Sequence, residues 1–456
     1  MNNHDTARIR AGFVGFGEVN TPREFIDKRC TSVMAQLKQA GLDLAATAPV
    51  ADDPAGEQAA RAVAELSQHD FSVLIVCIAG WIPTWAVLSV IEPFRHKPMV
   101  LLGLTGWQEG ERFVTTADQA GTTALRKPMA DMGYTFKYVV TLRGRSLPLE
   151  SVMSYCRAAD TARRLRGARI GMAGFRDMRL YGTLYDGVSL KATIGPEIEH
   201  FDLLELQQLM DGIDAAEVKQ LAEEVSRRWV FRKEPQPGTV ESSVKLYMAI
   251  RRKVEERGYD AFSYTDVDGI KKLMGFAPAG AMTLLHDETT ICTVPENDSM
   301  GAVTQLMVHY LTGQVAAYLE FYEFFERGAL MGVPDYVPRE IVDGEVTIFP
   351  NAFGDFGEGL LNVSRLKTGP ATIARLGYVG NRYRMHIMNA TAQDPVSWEE
   401  AGWAPPAPQL PSVDLVFDGD TAAFIERVMG QHYIISYGDN RMLLEDLCAI
   451  LGVEVI

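Results

Sequence analysis

The chain has 456 residues, 47% of them hydrophobic and 23% charged, with a formal net charge of −15 and a pI near 5.1. That length exceeds what a single hydrophobic core organises, so two or three α/β domains are predicted. The acidic balance lacks the surplus of Lys and Arg that phosphate binding needs, which excludes a nucleic-acid role and disfavours an anionic membrane surface.

The first twelve residues, MNNHDTARIRAG, contain no apolar segment of the kind that opens a secretory signal, and no apolar run reaches the roughly 20 residues of a membrane span. Cys30, Cys77, Cys156, Cys292 and Cys448 are widely scattered and form no C-x-x-C pair. An odd number of dispersed cysteines predicts reduced thiols, and the cytoplasm is the expected compartment.

In chain order, residues 9–15 read as a strand and 23–40 as a helix. Residues 71–79 (FSVLIVCIA) form a continuous apolar run, the pattern of a strand buried on both faces. Strands are also predicted at 98–102 and 135–140, with a helix at 150–165. This alternation predicts parallel βαβ units. A second unit is expected from residue 167, with a strand at 169–173, helices near 203–211, 214–231 and 238–257, strands at 260–264 and 289–293, and a helix at 302–311. The tail differs. Residues 345–388 are Gly-rich with β-type alternation, 404–411 (APPAPQLP) predicts an extended loop, and a helix closes the chain at 441–451. The fold class is therefore α/β: two doubly wound α/β domains, 1–166 and 167–312, followed by a mixed, β-rich domain at 313–456.

Gly12, Gly15 and Gly17 invite a dinucleotide-binding reading, but their spacing is G-x-x-G-x-G rather than G-x-G-x-x-G. Glycines at a strand-to-loop turn serve as well. The segment 293–326 carries more chemistry. Glu296, Asn297 and Asp298 follow a strand-like ICTV and precede a helix, where carboxylates point into the crevice at the ends of parallel strands. Helix N-capping is the alternative role for Glu296 and Asp298. Glu320 lies within the apolar run AAYLEFY, where an ionised carboxylate is costly unless a cation compensates it; the alternative is an outward residue on an edge strand. His309 reads as a packed, hydrogen-bonded histidine. His432 opens a short apolar strand and by itself is as compatible with structure as with function.

PENDSMGAVTQLMVHYLTG followed by AAYLEFYEF resembles a segment of the L-fucose isomerase and L-arabinose isomerase family. GQHYIISYGDNRMLLEDLCAILGVEV resembles that family's C-terminal segment, SRLKTGPATIARLGYVGNRYRMHI its C-terminal strands, and RGARIGMAGFRDMRLYGTLYDG the opening of its second domain. The resemblance implies a metal-dependent aldose–ketose isomerase working through a cis-enediol. It implies metal ligation by Glu296, Glu320 and His432, with Mn²⁺ the usual ion and Mg²⁺ or Co²⁺ as substitutes. Glu296 and Glu320 would also form the acid/base pair. A homo-oligomer is implied, in which a neighbouring subunit completes the site.

Trp81 aligns with a sugar-stacking tryptophan of that family. Arg23 and Arg176 are candidates for gripping a hydroxyl or an anionic substituent, with a solvated surface arginine as the alternative for each. Phe353 stands where a substrate-contacting Tyr is expected, and Gln431 replaces an Asn beside the histidine. Glu320 is Glu where fucose isomerases carry Asp, while arabinose isomerases use Glu. These departures leave the sugar open: a deoxyhexose, a pentose, or a C6-modified sugar such as sulfoquinovose. A non-catalytic sugar-binding protein is the competing class, and a dehydrogenase rests only on the glycine pattern.

Overall fold

The computed structural model describes residues 8–289, 291–333, 336–352, 355–395 and 411–456. Contacts divide the chain into two units: Met1–Arg163 with Ala449–Leu451, and Arg164–Cys448 with Gly452–Ile456.

In the first unit, strands β1 (Arg10–Phe16), β2 (Asp43–Ala46), β3 (Val73–Ile78), β4 (Met99–Gly103) and β5 (Phe136–Val140) form a parallel sheet in the order β2-β1-β3-β4-β5. Helices α1 (Arg23–Gln39), α2 (Glu57–Leu66), α3 (Thr84–Ile91) and α4 (Asp118–Asp131) connect them. The apolar run in β3 is buried on both faces. Leu74, Val76 and Ile78 enter one hydrophobic cluster, and Val73, Ile75 and Cys77 another. A period of two on a sheet covered from both sides demands that pattern.

Gly15 near the end of β1 and Gly17 just beyond it have a packing reason. A Cβ on Gly15 would stand 2.3 Å from Cys30 Sγ, and one on Gly17 would stand 2.4 Å from Ile26 Cδ1. Both partners lie on α1, so these glycines let the helix approach the strand. Strand β2 and a short hairpin (Trp107–Glu109 with Arg112–Val114) have no forecast in the sequence pattern.

The second unit opens after helix α5 (Leu149–Gly167) with β6 (Arg169–Ala173), followed by β7 (Glu197–Phe201), β8 (Ala261–Tyr264) and β9 (Cys292–Thr293). They form a parallel sheet in the order β9-β8-β6-β7. Helices α6 (Leu203–Asp211) and α7 (Ala215–Arg228) start where Asp202 and Asp214 accept hydrogen bonds from backbone N–H groups of the first turn. Helices α8 (Thr239–Arg257), α9 (Ala279–Glu288) and α10 (Ser299–Thr312) follow.

Six of the later strands close on themselves. β10 (Ala317–Phe325), β11 (Gly328–Gly332), β12 (Gly369–Val379), β13 (Arg382–Gln393), β14 (Ser412–Phe417) and β15 (His432–Tyr437) pair antiparallel in the order β12-β15-β10-β11-β14-β13, and β13 pairs back to β12. Closure leaves no free edge in that ring. Its apolar residues, among them Ala317, Leu319, Met331, Ile373, Leu415, Tyr433 and Ile435, form one cluster. A final helix, α11 (Arg441–Leu451), has the bounds read from the sequence. The chain thus combines helices and parallel sheets with a barrel-like, β-rich C-terminal region. Most of the proline stretch at 404–411 falls outside the described residues, as does Phe353. No helix among the described residues is long and apolar enough to cross a membrane.

Candidate metal centre

Three elements of the second unit deliver the three candidate ligands. Glu296 lies in the turn between β9 and α10, at the C-terminal end of a parallel strand. It takes φ = 63°, and Asn297 beside it takes φ = 51°. Asn tolerates the left-handed region, whereas Glu there is strained and persists only where its surroundings over-determine it. Those surroundings are visible. The Asn297 backbone N–H donates to the Tyr264 carbonyl at 3.1 Å, and its side-chain Nδ2 donates to the Ala173 carbonyl at 2.9 Å. The ends of β6 and β8 therefore clamp the turn and hold Glu296 at 8% exposure.

Glu320 and His432 come from the barrel. Strand β10 is central, between β15 and β11, and Glu320 stands directly opposite His432 in the register. The edge-strand alternative for Glu320 does not hold. Immediately beyond it the pairing of β10 with β11 shifts at Tyr322, a bulge next to the acidic residue. Gln431 donates from Nε2 to Glu320 Oε2 at 2.5 Å.

The imidazole of His432, 5% exposed, lies between the two carboxylates. Its Nε2 is 3.6 Å from Glu320 Oε2, and its Nδ1 is 4.0 Å from Glu296 Oε2. Burial, with the positive charge of Arg375 acting in the same direction against the opposing pull of Asp298, pushes its pKa down to about 3. The ring is neutral at physiological pH, the form that binds a metal.

Two carboxylates and one neutral imidazole make a donor set suited to an oxygen-preferring divalent ion such as Mn²⁺ or Mg²⁺. With metal–ligand bonds of about 2.1 Å, neighbouring donors of an octahedral ion lie about 3.0 Å apart. The observed separations are wider, and the carboxylates approach different ring nitrogens. Among the described residues no group of three His, Cys, Asp or Glu already stands at coordination spacing. The donor types fit a metal, and the side chains must draw together to hold it.

Asp298 divides the work differently from Glu296. It caps α10, accepting from Gly301 N at 3.0 Å, and it forms a two-point ion pair with Arg375 on β12, with Nη1–Oδ2 at 2.5 Å and Nη2–Oδ1 at 2.8 Å. The Tyr318 hydroxyl donates to Oδ2 at 2.8 Å. Burial pushes the Asp298 carboxyl up, but the guanidinium and these hydrogen bonds outweigh it and hold the group below the usual carboxylate range. N-capping therefore applies to Asp298, and Glu296 is the residue left facing His432. The sequence pattern passed over both Arg375 and Tyr318. Each sits in an apolar strand where only a long-range partner gives it a role.

Arg176 lies with its guanidinium over the Tyr181 ring, 4.9 Å from the centroid. His309 is packed as expected, with Nδ1 3.1 Å from the Gln314 carbonyl. In the first unit, Arg23 is exposed and paired with Asp27 at 2.8 Å, while Trp81 is exposed before α3.

Residues 177–284 match the family model of the L-arabinose isomerase central domain, a segment that ends before Glu296. The chain is also similar to an L-arabinose isomerase from Shouchella clausii (strain KSM-K16), 24% identical over 321 residues. That alignment spans 67% of this chain and 62% of the relative's length. Among solved structures, an ABC transporter periplasmic solute binding protein from Actinobacillus succinogenes 130z with bound D-allose aligns over 73% of this chain and 95% of its own. Its identity is 11% and its TM-score 0.18, too low to bear on the fold.

Proposed function

We propose that the protein is a metal-dependent isomerase that interconverts an aldose and a ketose through a cis-enediol, with Glu296, Glu320 and His432 as its centre. The observation that carries this reading is the convergence of those three side chains from a strained turn and two adjacent barrel strands, with a neutral imidazole between two carboxylates. The similarity to L-arabinose isomerase supports the reaction class.

Aldose–ketose isomerisation moves a proton between adjacent carbons and shifts the carbonyl with it. Glu296 and Glu320 serve as the acid/base pair for the two carbons, one carboxylate taking the proton from carbon while the other serves the oxygen side. Gln431 restrains Glu320 through its hydrogen bond, which favours one carboxylate rotamer over many. His432, Glu296 and Glu320 would hold the divalent ion, Mn²⁺ in this reading, with Mg²⁺ or Co²⁺ as substitutes. When bound, that ion supplies positive charge where the enediolate develops its negative charge.

The division of the second unit at residue 312 into an α/β and a β-rich domain belongs to this reading. So do a cytoplasmic location and a homo-oligomer whose neighbouring subunit contributes Trp81. Arg23, Arg176 and Phe353 are carried as substrate contacts on the family resemblance alone. The sugar is a pentose, a deoxyhexose or a C6-modified hexose. The test is ketose formation from L-arabinose, D-arabinose, L-fucose and sulfoquinovose by Mn²⁺-loaded protein. Turnover of one of them is expected. Failure with every aldose by folded, metal-loaded protein would sink the isomerase reading.

A further inference from the structure

We infer that Tyr318, Asp298 and Arg375 form a positioning relay that aims the His432 imidazole. The inference rests on the reading above only for what the imidazole is aimed at. Tyr318 stands two residues before Glu320 on β10, on the same strand face, and is the diagonal neighbour of His432 across the β10–β15 pair. Its ring lies on the imidazole with centroids 4.3 Å apart and planes 18° apart. A stacked neighbour fixes the plane of a histidine ring only if it is itself fixed. The hydroxyl provides that anchor through its hydrogen bond to Asp298 Oδ2.

Asp298 in turn has every direction occupied. Its two oxygens accept from Gly301 N, from both terminal nitrogens of Arg375 and from Tyr318. Asp298 and Arg375 are each 2% exposed and Tyr318 is 3% exposed. A helix cap alone does not account for this group, because the cap needs only the Gly301 contact. Nor does stability account for it. Desolvating a buried ion pair offsets most of its attraction, and apolar residues of like size pack as well.

Space has been cleared for the relay at two glycines. A Cβ on Gly301 would stand 2.7 Å from both Tyr318 Cε2 and Asp298 Oδ2, and one on Gly430 would stand 3.3 Å from the Arg375 guanidinium. Gly430 lies two residues before His432, so the guanidinium is tucked beneath the segment that leads into the histidine. Four separated segments thus combine to set one ring plane. Outer partners commonly orient metal ligands through hydrogen bonds; here the orienting contact is a stacked, hydrogen-bonded tyrosine ring.

The test uses the full chain and Mn²⁺ alone, with free Mn²⁺ read by electron paramagnetic resonance. Tyr318→Phe keeps the ring and cuts its anchor; Tyr318→Leu removes the stacked face. Mn²⁺ affinity is expected to fall several-fold in the first and about 10–100-fold in the second, in proteins whose circular dichroism matches wild type. A crystal structure of Tyr318→Leu without added metal is expected to show the His432 ring turned out of its plane. Mn²⁺ affinity unchanged in both variants, with only the melting temperature lowered, would make the group structural and overturn the inference. If wild-type protein itself binds no Mn²⁺, the metal reading falls. The relay then stands or falls on the crystal structure, where an unmoved ring overturns it.

Discussion

Glu320 and His432 face each other across adjacent antiparallel barrel strands, with the imidazole Nε2 3.6 Å from the carboxylate. Glu296 approaches the other ring nitrogen at 4.0 Å from a strained turn in the α/β part of the same unit. A sheet register and a loop clamp therefore bring two carboxylates and a neutral donor together.

Replacing either carboxylate by its amide preserves shape and removes the base. Glu296→Gln and Glu320→Gln are each expected to lower kcat by at least about 10²-fold, with melting temperatures within a few degrees of wild type. Steady-state ketose formation checks this; near-wild-type turnover in either variant removes that residue from the acid/base pair.

Chelation with EDTA should abolish turnover, and Mn²⁺ add-back should restore it. Mn²⁺ at about 100 times its Kd should also stabilise the fold by about 2.7 kcal/mol, seen as a rise in melting temperature. His432→Gln should lose that rise. Full activity after exhaustive chelation would contradict the metal reading.

Gly301→Ala forces a methyl against the Tyr318 ring and the Asp298 carboxylate. Overpacking of that kind costs about 1–3 kcal/mol. The same change at Gly167, where a Cβ meets nothing within 4 Å, should stay within about 0.5 kcal/mol of wild type. Urea midpoints of the two variants give the comparison.

Arg375→Met leaves the Asp298 charge buried without its partner, and a loss of about 3–5 kcal/mol is expected. Adding Asp298→Asn removes the orphaned charge and should recover part of it. Additive destabilisation in the double variant would show that the two residues are not coupled.

Two buried histidines away from the candidate ligands give the protein an acid-sensitive stability. Burial pushes His286 down to about 3 and His386 down to about 4. His286 bonds Thr293 Oγ1, and His386 Nδ1 lies 2.8 Å from the Tyr433 hydroxyl. An unfolded histidine takes up its proton near pH 6.5. Below that pH the unfolded chain binds protons that the fold refuses, so stability falls as pH drops from about 6.5 towards about 4. Each group contributes up to about 1.4 kcal/mol per pH unit in that window. Denaturation midpoints at stepped pH should show the slope, and His386→Gln should reduce it. A slope unchanged in that variant would mean that His386 is not one of the groups responsible.

Much of the architecture was legible in the chain because its signals are local. The apolar run 71–79 announced a doubly covered strand, and Val73–Ile78 is one. The closing helix read at 441–451 has those bounds in the structure. The carboxylate at 320 stood out because burying it among apolar residues demands compensation. Barrel closure was not legible. It depends on which strands pair, and the residues of β10 and β15 that meet are more than a hundred positions apart in the chain. A separation of 77 residues likewise hid Arg375 from Asp298. By itself, the sequence determined the alternation of elements and the types of donor available, since periodicity and residue chemistry are properties of neighbours. Local residue chemistry treats Glu296 and Asp298 alike; the tertiary structure turns Glu296 towards the histidine and commits Asp298 to an arginine, because strand register and burial set those contacts.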